Sequence, residues 1–194
     1  MFELLLLLFL IVFSLFALFI IWRNNARKYI SSGTVASAYD AWTQDKLLER
    51  LWGEHIHLGF YPEGKNNIDF RKAKVQFVHE LVKWSGLDKL PKGSRVLDVG
   101  CGIGGSSRIL AKYYGFNVIG ITISPAQVER ARELTSSELN CNFQVMDALD
   151  LKFEDGSFDG VWSVEAGAHM NDKTKFADEM LRALRPGGYL ALAD

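Results

Sequence analysis

Hydrophobic and polar positions follow two different patterns along the chain. Residues 4–22 are apolar at every position except Ser14, whereas beyond residue 93 short apolar runs alternate with segments of helical apolar spacing. Short apolar runs bounded by turn residues are typical of buried strands, and spacing of three to four residues is typical of helices. The second pattern therefore predicts an α/β domain in which helices cover a parallel sheet.

The apolar runs and the residues around them predict the elements of this domain. Strands are expected over residues 95–99, 117–121, 142–146, 158–164 and 189–193. Ser124 and Gln127 form a capping box for the helix after the second strand, and Asp172 is expected to cap a helix that runs to Leu184. The sequence Arg-Pro-Gly-Gly at residues 185–188 predicts a turn before the fifth strand.

Two helices and a loop are predicted before the first strand. Residues 31–51 and 69–84 show the apolar spacing of helices. The ten residues from position 52 to 61 mix aromatic residues, histidines and glycines without a clear period, which is typical of loops that cover a site. A histidine pair two residues apart, without a third ligand, favours packing or substrate contact over metal binding. We take His55, His57 and Tyr61 as candidate substrate-lining residues.

Length and composition limit the classes of protein to which the chain can belong. Its 194 residues suggest one domain with an extension, divided into an anchor (1–28), a helical cap (29–92) and a core (93–194). A net charge of −1 provides no basic face for nucleic acid. Because of this low charge, we expect no nucleic-acid partner. Cys101 and Cys141 provide neither a disulfide framework nor metal-ligand spacing, so we also expect no metal.

The apolar run Leu4–Trp22 predicts a membrane anchor. At about 1.5 Å per residue it would extend roughly 28 Å, enough to cross the hydrocarbon core of a bilayer. A cleaved signal peptide is the alternative, but the first three residues carry no basic side chain and the run is longer than such a peptide needs. Arg23, Arg27 and Lys28 follow the run, which predicts that the rest of the chain lies on the cytoplasmic side.

A glycine-rich loop follows the first strand and is the centre of the predicted site. Strand, glycine loop and helix form the arrangement that brings backbone close to a nucleotide-like ligand. Gly100, Gly102 and Gly105 match the dinucleotide fingerprint, whereas Gly100, Gly102 and Gly104 match the loop that binds S-adenosylmethionine (SAM). Asp98 favours SAM, because a carboxylate at this position would repel a pyrophosphate but could hold an ammonium group.

Residues at the ends of other strands extend this site. Asp147 and Ala148 follow the third strand, where a carboxylate could meet an amine such as that of adenine, and SAM offers both an ammonium and an adenine. Ligands of parallel sheets lie beyond the carboxyl ends of the strands. The candidates there come from four strands and are Asp98, Val99, Gly100, Cys101, Gly102, Ile103, Gly104, Thr122, Asp147, Ala148 and residues 165–169.

Several motifs together resemble class I SAM-dependent methyltransferases. They are VLDVGCGIGG at 96–105, DA at 147–148, FEDGSFD at 153–159 and LRPGG at 184–188. A narrower resemblance, to the tocopherol methyltransferase family, is carried by WGEHIHLGFY at 52–61, GITISP at 120–125 and WSVEAGAHM at 162–170. The resemblance implies a Rossmann-like fold with strand order 3-2-1-4-5 and SAM as the cofactor. It places residues 98–104 against the methionine and ribose parts of SAM, and Asp147 and Ala148 against its adenine.

The resemblance also implies the reaction. Members methylate a ring carbon of a membrane-resident prenylated hydroquinone, such as a methyl-phytyl- or methyl-solanesyl-benzoquinol, on the way to tocopherol and plastoquinone. Two features depart from the pattern. Thr122 stands where an acid usually binds the ribose, so we expect Gln127 to help, unless it serves only the capping box. The family continues past position 194, so the chain is expected to be a fragment that binds SAM weakly and does not turn over.

A ring carbon becomes a good nucleophile when the adjacent phenol loses its proton, so a base near the ring is expected. His169 is the candidate base and Glu165 the residue that orients it or takes part, since their spacing could place them on one helical turn. Alternatively, Glu165 binds a hydroxyl of SAM or substrate and His169 packs. Methylation of γ-tocopherol, demethylmenaquinol or a sterol, a SAM-binding module without turnover, and an NAD(P) oxidoreductase remain open alternatives.

Overall fold

The computed structural model describes residues 11–18, 32–63 and 67–194. Residues Val35–Asp194 form one compact unit that includes most of the predicted cap and all of the predicted core. Residues 11–18 are helical. The predicted anchor Leu4–Trp22 lies largely outside the described residues, and within them no helix is both long and apolar enough to span a membrane.

A parallel sheet of five strands forms the centre of the compact unit. Its strand order is β3-β2-β1-β4-β5, and every neighbouring pair is parallel. The strands are β1 (Arg95–Val99), β2 (Asn117–Thr122), β3 (Cys141–Val145), β4 (Phe158–Val164) and β5 (Leu184–Ala193). The Rossmann-like fold and the order 3-2-1-4-5 predicted from the sequence are therefore confirmed.

In the part of the chain described from residue 32 onward, six α-helices surround or precede the strands. They are α1 (Ser32–Gln44), α2 (Leu47–Trp52), α3 (Phe70–Ser85), α4 (Gly105–Tyr114), α5 (Pro125–Leu134) and α6 (Lys173–Ala183), with 3-10 turns at Leu87–Lys89 and Gly167–His169. The predicted N-cap residues Ser124 and Asp172 are confirmed. Ser124 accepts a hydrogen bond from the Gln127 N–H at 3.1 Å at the start of α5, and Asp172 accepts one from the Lys175 N–H at 2.9 Å.

Two predicted elements differ from the structure. The single helix expected over 31–51 is broken into α1 and α2 at Lys46, whose left-handed φ of 55° cannot continue a helix. The turn expected at 185–188 is instead the start of β5, because α6 already ends at Ala183. Gly187, with φ of 76°, lies in this part of the strand, where the register against β4 shifts.

The sheet is covered on both faces, and β1 shows how. Its side chains alternate, so Val96 belongs to a core cluster with α3 and α4, and Leu97 to a second cluster with α6. Both residues are fully buried. Burial on two faces explains the continuous apolar run of this strand and holds the loop that follows it in a fixed place.

Candidate functional site

The candidate site lies at the carboxyl ends of β1, β2 and β4, with β1 between the other two. The turn after β1 is bonded to β2, since the N–H groups of Gly100 and Cys101 both donate to the carbonyl of Ile121 at 2.9 Å. The Gly104 N–H in turn donates to the carbonyl of Cys101. The sheet and the loop's own backbone therefore fix the path of the glycine loop into α4.

Positive backbone angles make glycine necessary in this loop. Gly100, Gly102 and Gly104 have φ values of 78°, 54° and 82°. A Cβ added at Gly100 would lie 2.4 Å from Ala166, and one at Gly104 would lie 2.7 Å from Phe143. A Cβ added at Gly102 would meet no atom of the described chain within 4 Å. Gly102 therefore borders open space, as the backbone of a ligand cradle must.

Asp98 is a buried carboxylate at the end of β1, only 2% exposed. The Ser107 hydroxyl donates to its Oδ2 at 2.5 Å, and among the described residues no basic side chain forms an ion pair with it. Burial raises the pKa of Asp98 to about 7, although the hydrogen bonds from Ser107 act in the opposite direction. A ligand cation beside this carboxylate would favour its charged form, so the site fits an ammonium group.

Thr122 and Gln127 lie together at the end of β2. Both are buried, and the Thr122 hydroxyl donates to Gln127 Oε1 at 2.7 Å. The structure thus pairs the two residues that were expected to replace the missing acid. The Gln127 side chain therefore does not complete the predicted capping box: the Ser124 N–H donates to the Thr122 hydroxyl instead, and only the backbone N–H of Gln127 takes part in the cap. Their contact with a ribose stays a prediction.

Asp147 and Ala148 lie directly after β3. Asp147 Oδ1 accepts a hydrogen bond from the Leu149 N–H at 2.9 Å, which closes a turn and orients the carboxylate. Ala148 is buried at 7% exposure. The carboxylate therefore serves the local backbone, and its proposed contact with adenine stays a prediction.

Glu165 is held in an unusual backbone conformation at the end of β4. Its φ of 50° is one of two positive values among the non-glycine residues described. Such conformations cost about 1–3 kcal/mol and cluster at functional sites. Glu165 Oε1 accepts a hydrogen bond from the Leu58 N–H at 2.8 Å, which attaches the loop before α3 to β4.

His169 lies in the 3-10 turn after Glu165 but is bonded to a different partner. Its Nε2 lies 2.8 Å from the Tyr39 hydroxyl of α1, and the two rings pack edge to face. The expectation that Glu165 and His169 share one helical turn is wrong, because the left-handed backbone at Glu165 precedes the turn Gly167–His169. Burial, followed by the charge of Glu165, raises the pKa of Tyr39, which keeps its hydroxyl protonated.

The strap, residues 53–61, crosses the site and contains the predicted substrate-lining residues. His57 Nδ1 donates to the Leu58 carbonyl at 2.7 Å, so its Nε2 is left to accept a hydrogen bond from His55 Nδ1 at 3.1 Å. Burial lowers the pKa of both histidines, that of His55 to about 3. Tyr61 is 47% exposed. The histidines form a neutral bonded pair, and substrate contact by all three residues stays a prediction.

Lys74 supports the strap from α3. Its side chain is buried, and its ammonium donates to the carbonyl groups of Trp52 and His55 at 3.2 and 2.7 Å. Burial lowers its pKa. Gly59 passes so close to α3 that a Cβ there would lie 2.7 Å from Ala73. The strap is therefore fixed from below by α3 as well as from the β4 side.

Sequence reasoning missed the residues of α1 and α2 that close the cap over the core. Glu49 forms a two-pronged ion pair with Arg130 of α5, at 2.6 and 2.8 Å, which lowers the pKa of Glu49. Tyr39 bonds to His169, which is 130 positions further along the chain, and Asp40 bonds to Ser124, which is 84 positions further along. An acid on an exposed-looking helix carries no sequence signal for such a distant partner.

The strap is also tied to the glycine loop. Arg108 of α4 donates to the carbonyl of Ile103 at 2.8 Å and pairs with Glu54 of the strap at 2.6 Å. Between cap and core lies a shallow groove lined mainly by Tyr39, Trp42, Leu48, Ile56, Ile103 and Gln127. The groove thus reaches from the cap to residues of the predicted cofactor site.

The two cysteines of the chain are free thiols. Cys101 is a buried free thiol whose pKa is raised by burial, and Cys141 is also free. Within the described ranges there is no group of three or more His, Cys, Asp or Glu side chains suited to hold a metal ion.

Comparisons with known proteins agree with this geometry. Residues 97–192 match the family model described as a methyltransferase domain. The chain is 61% identical over 170 residues to the 2-methyl-6-phytyl-1,4-hydroquinone methyltransferase of Synechocystis sp., covering 88% of this chain and 54% of that protein. It is 44% identical over 156 residues to the chloroplastic tocopherol O-methyltransferase of Arabidopsis thaliana, covering 75% and 45%.

A solved structure shows the same fold. The phosphoethanolamine N-methyltransferase 2 of Haemonchus contortus, in complex with phosphomonomethylethanolamine and S-adenosylhomocysteine, superposes with a TM-score of 0.61 at 27% identity. The match covers 78% of this chain and 32% of that one. The chain spans about half the length of the curated relatives that it matches. By fold, motifs and relatives, it belongs to the class I SAM-dependent methyltransferases, in the tocopherol methyltransferase family.

Proposed function

We propose that this protein uses SAM to methylate a ring carbon of a prenylated hydroquinone, a methyl-phytyl- or methyl-solanesyl-benzoquinol. The observation that carries the proposal is the 61% identity to a relative named for 2-methyl-6-phytyl-1,4-hydroquinone. It extends over 88% of this chain and therefore includes the glycine loop, the ends of β2, β3 and β4, and the cap.

The residues present suit SAM. Asp98 offers a buried carboxylate without a basic partner among the described residues, which suits the ammonium of the ligand. The open space at Gly102 suits the methionine chain, the Thr122–Gln127 pair the ribose hydroxyls, and Asp147 the amine of adenine. When bound, SAM supplies an activated methyl group, so the protein mainly has to position the acceptor and manage one proton.

Tyr39 and His169 manage that proton. Because its raised pKa keeps Tyr39 protonated, its hydroxyl donates to His169 Nε2, and its oxygen remains able to accept a proton from a phenol. The phenolic proton passes to Tyr39 Oη as the proton of Tyr39 passes to His169 Nε2. The phenolate would direct electron density to the adjacent ring carbon, which would form the new C–C bond as the bond between the methyl group and the sulfonium sulfur breaks. The hydrogen on that ring carbon would then leave as the one proton released, and the phenol oxygen would regain its proton from the Tyr39–His169 pair.

Glu165 contributes position rather than a direct bond to His169. Its carboxylate holds the Leu58 N–H and so keeps the strap over the site. The exposed apolar residues beside this bond, Leu58 at 75% and Phe60 at 39%, suit the lipophilic part of the acceptor.

A second candidate is methylation of tocopherol itself, favoured by the 44% identity to the Arabidopsis relative named for that substrate. We also propose that the apolar run Leu4–Trp22 anchors the protein in a membrane, with the compact unit on the cytoplasmic side, where a prenylated quinol is available. Release of the protein by alkaline carbonate, or protection of the compact unit from protease added on the cytoplasmic side, would refute this anchor.

The test of the proposed function has two stages and uses the intact polypeptide. Calorimetry with SAM and with NADPH comes first, and tight binding of NADPH without binding of SAM would overturn the cofactor assignment. Transfer of a labelled methyl group to a panel of prenylated quinols and γ-tocopherol in vesicles follows. Label in the benzoquinols supports the proposal, label in γ-tocopherol alone selects the second candidate, and label in none of them refutes both.

A further inference from the structure

Two neighbouring residues of α1 reach opposite sides of the site. Tyr39 bonds to His169 after β4, at 2.8 Å. Asp40 Oδ1 accepts hydrogen bonds from the Ser124 hydroxyl at 2.5 Å and from the Ala126 N–H at 3.1 Å, both at the start of α5 after β2. One turn of a cap helix therefore bridges the side that holds the proposed base and the side that holds the proposed ribose pair.

The Asp40 contact is well matched to the end of α5. The first N–H groups of a helix lack partners within the helix, and this end carries a partial positive charge that favours a carboxylate. Ser124 already accepts a hydrogen bond from the Gln127 N–H, so its own proton is available for Asp40. Gln127 accepts in turn from Thr122. A continuous series of hydrogen bonds thus runs from Asp40 to the Thr122–Gln127 pair.

Two points of attachment restrict α1 in a way that one cannot. Successive residues of a helix point about 100° apart, so the bonds of Tyr39 and Asp40 fix both the position and the rotation of α1. Loss of the Asp40 bond would weaken the hold on the rotation of α1 and allow the Tyr39 hydroxyl to move away from His169. The edge-to-face packing of Trp42 on Tyr39, at 5.4 Å between ring centroids, would move with it.

We propose that Asp40 is a positioning residue that fixes α1 on α5 and thereby holds Tyr39 in hydrogen-bonding contact with His169. The proposal rests on the proposed function only for its effect on turnover. In this role Asp40 bonds to Ser124 and Ala126 and acts through Tyr39. Occupancy of the Thr122–Gln127 pair would also stabilise the start of α5, so the same bonds would couple cofactor binding to the alignment of the proposed base.

The test is a double-mutant cycle on the intact polypeptide, with kcat and KM measured on the quinol that the panel assay identifies. We expect Asp40→Ala to lower kcat on the order of 10- to 100-fold, the range for a hydrogen bond to a charged group, with a smaller change in KM. In a Tyr39→Phe background, Asp40→Ala should change kcat less than about twofold, because the residue through which it acts is already disabled. Asp40→Asn keeps an acceptor oxygen and should recover most of the activity.

Glu49→Ala is the matched control, because Glu49 also ties the cap to α5, through Arg130, but lies on α2. Its effect should be smaller and should add to that of Tyr39→Phe. Equal effects of the two alanine variants, or additivity of Asp40→Ala with Tyr39→Phe, would overturn the proposal. If no quinol is methylated, the proposed function fails while the inference remains testable from the ring resonances of the four histidines. Asp40→Ala should then shift the His169 signal as Tyr39→Phe does, and an unshifted signal would overturn it.

Discussion

Asp98→Asn should separate the stability of the fold from ligand binding. The side chain is 2% exposed, and burial raises its pKa from 3.8 to about 7. Between these values the folded chain holds a proton that the unfolded chain has lost, so the free energy of unfolding falls as the pH rises through this window. A rise of this size corresponds to about 4 kcal/mol at pH 8, at 1.36 kcal/mol per pH unit.

Asparagine has nearly the same shape as aspartate and carries no charge to bury. Its Oδ1 can accept the hydrogen bond from the Ser107 hydroxyl that Asp98 accepts at 2.5 Å. The variant should therefore match the parent protein near pH 4 and exceed its stability by up to about 4 kcal/mol at pH 8. Urea unfolding at pH 4, 6 and 8 measures this, and the difference between the two proteins removes the titration of all other groups.

The same substitution should weaken the binding of SAM, because the ammonium group of the ligand would lose its charged partner. A hydrogen bond to a charged group contributes about 1.5–3 kcal/mol, so the dissociation constant should rise about 10- to 100-fold. Calorimetry at pH 8 measures this change. A stability difference that does not depend on pH, or a variant that binds SAM as tightly as the parent protein, would refute the role given to Asp98.

Three further substitutions test other parts of the site. Gly102→Ala and Gly93→Ala each add a Cβ at a positive φ without a clash, but only the Gly102 variant should lose SAM affinity, by about 5- to 150-fold; equal losses would contradict the cradle. Burial lowers the pKa of His55 to about 3, so between pH 6.5 and about 3 only the unfolded chain binds the proton, and the free energy of unfolding falls as the pH falls. His55→Gln should make this fall smaller, and an unchanged dependence of urea unfolding on pH would contradict this. Glu54→Gln should change unfolding free energy by no more than about 1 kcal/mol, since Glu54 is 49% exposed beside Arg108; a larger loss would mean that this tie carries the strap.

The features that the sequence predicted are those that short-range chemistry determines. The N-cap bond from the Gln127 N–H to the Ser124 hydroxyl lies within four residues, and the apolar run of β1 is sufficient to identify a strand buried on both faces. The prediction of a turn at 185–188 is wrong because it relied on residue types alone. Proline and glycine usually mark a reversal, but here the positive φ of Gly187 absorbs a register shift against β4 while the strand continues.

Other features depend on residues whose backbone conformation cannot be predicted from their type. Lys46 and Glu165 adopt left-handed backbone, which no side chain of their type signals, so the break between α1 and α2 and the separation of Glu165 from His169 were both missed. Tyr39 and Asp40 gain their roles only when strands far along the chain bring His169 and Ser124 to the same edge of the sheet. Spacing along one element could not reveal them.

The bonds that close the cap also determine the order in which the protein can assemble. The bond between Leu58 and Glu165 joins residues 107 positions apart, and the bond between Tyr39 and His169 joins residues 130 positions apart. By contrast, β1 and β2 are separated by a single helix. Long loops are closed late, because their entropy is lost before any contact compensates for it. During synthesis α1 and α2 leave the ribosome long before β4 does. Their contacts with α5 can form earlier, but the bonds to Glu165 and His169 form only after the fourth strand has joined the sheet. Hydrogen exchange should therefore find α1 and α2 the least protected helices of the compact unit.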